Sequence, residues 1–143
     1  MPKVSGGCHC GNIALELQLT RAPASYSPRA CDCDFCRKHG AAYVSDPEGA
    51  LRIRIADDAL TARYRQGSAQ AEMLLCRRCG VLVGALYSAG GRCYGTVNAS
   101  ALEPAVRFGT VSVVSPQQLS ATEKAVRWQN IWFANVSIAG TAA

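Results

Sequence analysis

Seven of the eight cysteines in this chain of 143 residues stand in three tight groups. Thiolate sulfur is a preferred ligand of zinc, and sulfurs one or two residues apart on a turn can converge on one tetrahedral ion. Glycines that follow Cys10 and Cys79 allow the backbone to turn sharply at those points. The spacing therefore predicts bound zinc within the groups Cys8-His9-Cys10-Gly11, Cys31-Asp32-Cys33-Asp34-Phe35-Cys36-Arg37 and Cys76-Arg77-Arg78-Cys79-Gly80.

Disulfide bonds are the competing use of so many cysteines, and they require an oxidising compartment. The segment from Met1 to Gly7 lacks the apolar run of a secretory signal, and no other stretch has the apolar length of a membrane span. We therefore expect a cytoplasmic protein with reduced thiols and no membrane partner. In that setting, clustered cysteines favour metal binding or catalysis.

The composition is that of one folded domain, which we expect to span residues 1–143. Hydrophobic residues make up 49% of the chain and charged residues 17%, so the chain can bury a core without covalent links. The net charge of +5 is a modest basic excess. It suits small anionic ligands, acidic surfaces or weak contact with nucleic acid, without choosing among them. We do not expect nucleic acid to be the main partner.

A mainly β fold is predicted, because short alternating or β-branched runs recur between glycine, proline and serine residues. The clearest alternation is Leu51-Arg52-Ile53-Arg54-Ile55, in which the apolar residues share one face and the arginines the other. The predicted strands lie at residues 13–19, 42–45, 51–55, 60–64, 71–75, 81–87, 92–97 and 106–113.

A helix is predicted near the C-terminus, over residues 116–127. Ser115 can cap it and Pro116 suits the first helical position. Its inward face is expected to hold Leu119, Ala125 and Val126. The aromatic residues that follow are expected to anchor the C-terminal segment by burial rather than by stacking on a ligand; they are Trp128, Trp132 and Phe133.

The number of clustered cysteines points to two unequal metal sites, because seven thiolates cannot complete two sites of four. A closed four-sulfur site is structural, whereas three protein ligands leave a position for water or substrate. One partition sets a three-ligand cap of Cys31, Cys33 and Cys36 beside a closed site of Cys8, Cys10, Cys76 and Cys79. A zinc ribbon of Cys33, Cys36, Cys76 and Cys79 is the alternative, and spacing alone does not decide between them.

The three cysteine motifs, in this order, resemble those of the glutathione-dependent formaldehyde-activating enzyme family, also called the centromere-protein-V-like family. The resemblance covers roughly residues 5 to 105. It implies an Mss4-like β fold of small packed sheets. It also implies a structural zinc on Cys8, Cys10, Cys76 and Cys79, and a labile, catalytic zinc on Cys31, Cys33 and Cys36.

The activity that the resemblance implies is that of a carbon-sulfur lyase, with glutathione or a similar thiol as co-substrate and a small aldehyde such as formaldehyde as its partner. Since glutathione carries two carboxylates, we expect nearby cations to position it, and the candidates are Arg37, Lys38 and His39. Family members often carry histidine where this chain has Asp32. Asp32 or Asp34 is therefore a candidate for the open coordination position.

A non-catalytic binding module, in which zinc only stabilises the fold, is the alternative function, because fold alone does not decide activity. Its contact surface for a protein or nucleic acid would be a basic face of Arg52, Arg54, Arg63 and Arg65. Cys93 stands outside the three groups, and we expect it to be a buried, inert thiol.

Overall fold

The computed structural model describes residues 1–140, which form two β-sheets and two helices. The smaller sheet has four strands in the order β1-β2-β5-β11, and only the β5–β11 pair is parallel. Its strands are β1 (Lys3–Gly7), β2 (Ile13–Gln18), β5 (Ala50–Ile55) and β11 (Asn135–Gly140).

The larger sheet has seven strands in the order β10-β3-β4-β9-β8-β7-β6, and only the β10–β3 pair is parallel. The strands of its first half are β3 (Arg29–Cys31), β4 (Ala42–Val44), β9 (Arg92–Asn98) and β10 (Ser112–Val114). The others are β6 (Thr61–Arg65), β7 (Glu72–Cys76) and β8 (Leu82–Ala89).

The main core lies between the two sheets. On β5, Leu51, Ile53 and Ile55 are buried while the arginines between them are exposed, as the alternation predicts. These side chains meet apolar residues of the larger sheet, among them Leu74 and Val97, in one continuous cluster. Burial of this shared apolar surface, rather than a covalent link, holds the sheets together.

Two helices complete the structure. Helix α1 (Asp34–His39) is one short segment that starts at Cys33, whose sulfur accepts a hydrogen bond from the Cys36 N–H, and it ends at Gly40. Helix α2 (Ala121–Ile131) lies near the C-terminal end of the described residues.

The predicted start of the C-terminal helix at Pro116 is wrong. Residues Pro116–Gln118 form a separate 3-10 turn, and α2 is started by a capping box in which Ser120 and Glu123 exchange side-chain and backbone hydrogen bonds. Val126, predicted to face inward, is 54% exposed because the register of the helix turns it to solvent. The predicted burial of Trp132 and Phe133 is confirmed, and Trp128 is half-buried.

The mainly β architecture with a short C-terminal helix is confirmed, and seven of the eight predicted strands occur within two residues of their expected ends. The eighth, at residues 106–113, is wrong: only Ser112–Val114 form a strand, and Val106 and Phe108 pack against the core from a loop. Strands β1, β3 and β11 and helix α1 had no counterpart among the predicted elements. The predicted domain includes residues 141–143, which lie outside the described residues.

Candidate metal centres and the adjoining cavity

Four cysteines from two distant hairpins meet in one cluster. Cys8 and Cys10 come from the β1–β2 connection, Cys76 ends strand β7, and Cys79 lies in the β7–β8 connection. Their four sulfurs all lie within 4.8 Å of one another, with 3.8 Å between Cys8 and Cys10 and 3.5 Å between Cys10 and Cys76. The cluster therefore links the two sheets at one end of the core.

The backbone around this four-sulfur cluster forms two tight turns. The amide of Gly11 donates to the Cys8 carbonyl and the amide of Gly80 to the Cys76 carbonyl. Both glycines have positive φ angles, 86° and 81°, which residues with a side chain adopt only with strain. The Cys8 sulfur accepts the Ile13 amide at 3.2 Å and the Cys76 sulfur accepts the Cys79 amide at 3.4 Å. The bond from Ile13 favours the anionic, metal-binding form of Cys8.

A second cluster contains Cys31, Cys33 and Cys36, whose sulfurs also lie within 4.8 Å of one another. Cys31 ends strand β3, Cys33 caps helix α1, and Cys36 lies buried within that helix. Because α1 starts at the cap sulfur, the helix turn itself brings Cys36 back toward Cys33. The hydroxyl of Tyr43, on the neighbouring strand β4, lies 3.1 Å from the Cys36 sulfur.

Both clusters fit zinc. A tetrahedral ion with zinc–sulfur bonds of about 2.3 Å requires sulfurs about 3.8 Å apart, and the spacings in the four-sulfur cluster match that requirement. The seven clustered cysteines therefore form one group of four and one group of three. The alternative zinc ribbon does not form, since Cys33 and Cys36 lie in a different cluster from Cys76 and Cys79. Which cluster is structural and which catalytic stays a prediction.

The pKa values of the thiols differ within each cluster. Burial raises the pKa of Cys8 to about 11. Burial opposes ionisation of Cys79 as well, but hydrogen bonds from the Val81 and Cys10 amides lower its pKa to about 6. In the three-sulfur cluster, a hydrogen bond from Cys36 lowers the pKa of Cys31 to about 6, and the same bond raises the pKa of Cys36. In each cluster, hydrogen bonds thus favour the thiolate form of one cysteine, which is the form that binds metal.

A cavity of about 280 Å³ adjoins the three-sulfur cluster. Its floor is the larger sheet, represented by Tyr43, Met73, Ala85 and Thr96, and its opposite wall is helix α2 with Lys124, Arg127, Trp128 and Ile131. All three cysteines of the cluster line it. A small molecule in this cavity can thus touch the sulfurs together with the rings of Trp128 and Trp132.

The cations predicted to bind the thiol lie outside this cavity. Arg37, Lys38 and His39 are exposed on the last turn of α1. Arg37 borders a shallower depression that also touches Cys31 and Cys36 from another side. The cations that do line the cavity are Arg29, Lys124 and Arg127, which sequence spacing could not single out because they come from β3 and α2.

Neither aspartate of the middle motif belongs to the three-sulfur cluster. The Asp32 carboxylate turns toward the segment after β10, where it accepts hydrogen bonds from the Ser115 hydroxyl and from the Gln117 side chain at 3.1 Å. Asp34 is exposed at the start of α1, although it lines the cavity. In the structure, Asp32 therefore holds the segment after β10 and does not occupy the open coordination position.

The four arginines of the predicted basic face do not share one surface. Arg52 and Arg54 lie on the smaller sheet, whereas Arg63 and Arg65 lie on β6 of the larger sheet. Arg63 pairs with Asp58 at 3.8 Å and Arg65 with Glu72 at 3.4 Å. The basic surface that a binding module would require is therefore divided between the two sheets. Cys93 is half-buried, and burial raises the pKa of its thiol.

A cysteine-rich β protein with one closed and one open candidate zinc site is the class that this fold and geometry define. The model of the glutathione-dependent formaldehyde-activating enzyme family matches residues 3–125. The chain belongs to this family.

A solved structure supports the fold independently. The chain resembles a crystal structure of a Rhodobacter sphaeroides protein with a TM-score of 0.53 and 22% sequence identity, over 96% of this chain and 99% of that one. At this identity the likeness shows the fold alone. Among the described residues, no helix combines the length and the apolar character needed to cross a membrane.

Proposed function

We propose that this protein joins a small thiol to a small aldehyde at the three-sulfur cluster, and that it splits the adduct in the reverse direction. The observation that carries the proposal is the open side of the cluster. Three cysteine sulfurs lie within 4.8 Å of one another and border a cavity of about 280 Å³, and no fourth cysteine of residues 1–140 closes the group. Family membership supports glutathione as the thiol and formaldehyde as the aldehyde.

Zinc held by Cys31, Cys33 and Cys36 would leave one coordination position free, and there it would make a bound thiol lose its proton more easily. The chain supplies the sulfurs of Cys31, Cys33 and Cys36. The Tyr43 hydroxyl contacts one of them, and the tryptophans line the cavity beside them. In the reaction, the thiol sulfur forms a bond to the aldehyde carbon. One electron pair of the C=O bond moves to oxygen, which receives the proton that the thiol loses. The exchange needs no oxidant or reductant, so the same site serves both directions.

The remaining assignments complete the proposal. The four-sulfur cluster of Cys8, Cys10, Cys76 and Cys79 holds a structural zinc, because a fully ligated ion has no position for substrate. Contact of the thiol with Arg37, Lys38 or His39 stays a prediction. The cytoplasm is the compartment in which the thiols of both clusters and of the substrate remain reduced.

Mass spectrometry under native conditions tests this function. We expect two zinc ions per chain, and a further mass equal to the thiol when glutathione is added. In Cys33→Ala the second zinc and the glutathione mass should be lost while the circular dichroism spectrum is retained. Cys93→Ala, which removes a thiol outside both clusters, should behave like the wild type. A Cys33→Ala variant that still forms the adduct at the wild-type rate would overturn the proposal. A wild type that forms the adduct no faster than the reaction without protein would favour the non-catalytic alternative.

A further inference from the structure

Arg29 carries a positive charge beside the cavity with no carboxylate next to it. It lies two residues before Cys31 on β3, so the two side chains point to the same face of the sheet. Its Nη2 donates to the Ser45 hydroxyl at 2.8 Å and to the Thr96 hydroxyl at 3.3 Å, and both partners are neutral. Within residues 1–140, salt bridges form at Arg63 and Arg65 but not at Arg29.

Two more cations line the same cavity from helix α2. Lys124 and Arg127 stand three residues apart, so they lie on one face of the helix, and both are half-buried. Asp34 is the one carboxylate among the described lining residues, and it is exposed at the start of α1. Like charges gathered in a partly buried cavity are costly unless an anion joins them. Besides the exposed Asp34, the negative groups that line the cavity are the thiolates of the three-sulfur cluster, which metal binding would largely neutralise, so the three cations remain available to a carboxylate.

The unused donors of Arg29 suit a carboxylate. A guanidinium group has five N–H donors in a planar fork, and the two hydrogen bonds described above use only Nη2. The described residues contain no fully buried side-chain nitrogen or oxygen without a partner. The other Arg29 nitrogens are therefore not fully enclosed, and Arg29 lines the cavity, where a carboxylate can accept two N–H groups at once.

We propose that the cavity binds the carboxylate of the thiol substrate between Arg29 and Arg127, so that the site selects carboxylate-bearing thiols. The assignment of the sulfur end rests on the proposed function, whereas the anion site rests on the cations alone. Two residues of a strand separate Arg29 from Cys31 by about 7 Å. A compact thiol whose carboxylate lies a few bonds from its sulfur can span that distance. This places the anion-binding role on Arg29 and Arg127 rather than on Arg37, Lys38 and His39.

Intrinsic fluorescence offers a direct test, because both tryptophans of the chain, Trp128 and Trp132, line the cavity. The probe is S-methylglutathione, which has the two carboxylates but no free thiol, compared with its diethyl ester. We expect the acid to bind at least ten times more tightly than the ester. Arg127→Gln should abolish that preference, and Arg29→Lys should weaken it. Arg52→Gln, which removes the same charge from the exposed face of the smaller sheet, should keep it.

Two results would overturn the proposal: equal binding of acid and ester to the wild type, or an unchanged preference in Arg127→Gln. Loss of the preference in Arg37→Gln but not in Arg127→Gln would move the site to α1, which also contradicts it. The absence of any S-methylglutathione binding, checked by calorimetry, counts against it as well. The two proposals can also be told apart. If Arg127→Gln abolishes the preference but the wild type forms no adduct with glutathione itself, the proposed function is contradicted and the anion site is supported.

Discussion

Tyr43, on the larger sheet, contacts the three-sulfur cluster. It is buried, burial raises the pKa of its hydroxyl, and that hydroxyl lies 3.1 Å from the Cys36 sulfur. A protonated phenol beside a thiolate donates a hydrogen bond that stabilises the negative sulfur. Partners of this kind commonly change metal affinity by about tenfold or more.

Tyr43→Phe should therefore release zinc from the three-sulfur cluster about ten times faster than the wild type, with the slower release from the four-sulfur cluster unchanged. The measurement is zinc transfer to a coloured chelator, which resolves the two phases. Tyr94→Phe is the matched control, since Tyr94 is on the same sheet but does not line the cavity. Equal release rates in Tyr43→Phe and the wild type would show that the contact has no effect on the metal.

Asp46 is a buried carboxylate that organises the chain between β2 and β5. It accepts hydrogen bonds from the Thr20 amide at 2.8 Å, from the Thr20 and Tyr26 hydroxyls, and from the Glu48 amide at 3.0 Å. Burial alone would raise the pKa of this group, but the four hydrogen bonds outweigh it and lower the pKa below its ordinary value.

Because the folded pKa is lowered, the ionised carboxylate contributes stability above its unfolded pKa, and this contribution is lost as pH falls through the folded value. Asp46→Asn should lower the free energy of unfolding by about 2 kcal/mol at pH 7. The difference from the wild type should shrink below about pH 4. Urea denaturation at pH 7 and pH 3 measures both values, and a difference that is independent of pH would contradict the assignment.

Among the elements, β10 and the 3-10 turn that follows it are held beside the three-sulfur cluster by the pairing of β10 with β3 and by the contacts of Asp32. The Asp32 amide donates to the Val114 carbonyl, and its carboxylate accepts from Ser115 and Gln117. Val114, Pro116 and Gln117 also line the cavity. The aspartate thus couples the loop that carries the cysteines to one wall of the cavity.

Asp32→Ala should leave the fold intact but increase hydrogen exchange in the peptide that covers residues 109–120, because two side-chain bonds to that segment are lost. Hydrogen-exchange mass spectrometry detects this change. Asp34→Ala removes the same charge two residues away, where the structure shows no side-chain hydrogen bond, and serves as the control. Equal exchange in both variants would mean that Asp32 does not hold the segment.

The elements that sequence could predict are those that bury one face of a regular repeat. Strand β5 was predictable because Leu51, Ile53 and Ile55 alternate with arginines. Helix α1 was not, since six residues carry too little periodicity, and a cysteine sulfur rather than an ordinary cap starts it. The strand predicted at residues 106–113 was wrong because the apolar residues of this segment pack on the core from a loop. No local pattern distinguishes such a loop from a strand.

For the whole molecule, counting cysteines predicted two unequal metal sites, and the family resemblance implied the four-and-three partition that the structure shows. The cavity was not predictable. Its cations, Arg29, Lys124 and Arg127, meet only after α2 folds back over the larger sheet. Closure of the molecule therefore creates the site beside the open cluster, whose own three cysteines lie within six residues of the chain.

The four-sulfur cluster should contribute stability to the whole molecule, since it joins the β1–β2 and β7–β8 connections. Cys10 allows a clean test because its side chain is exposed, so its removal leaves no cavity in the core. With zinc present, Cys10→Ala should lower the free energy of unfolding by at least about 3 kcal/mol, because the closed site stabilises only the folded chain. Cys93→Ala, outside both clusters, should change it much less.

After zinc is removed by a chelator, the wild type and Cys10→Ala should unfold at the same urea concentration. If they differ equally with and without zinc, the stabilisation comes from packing, and the cluster is not a structural metal site.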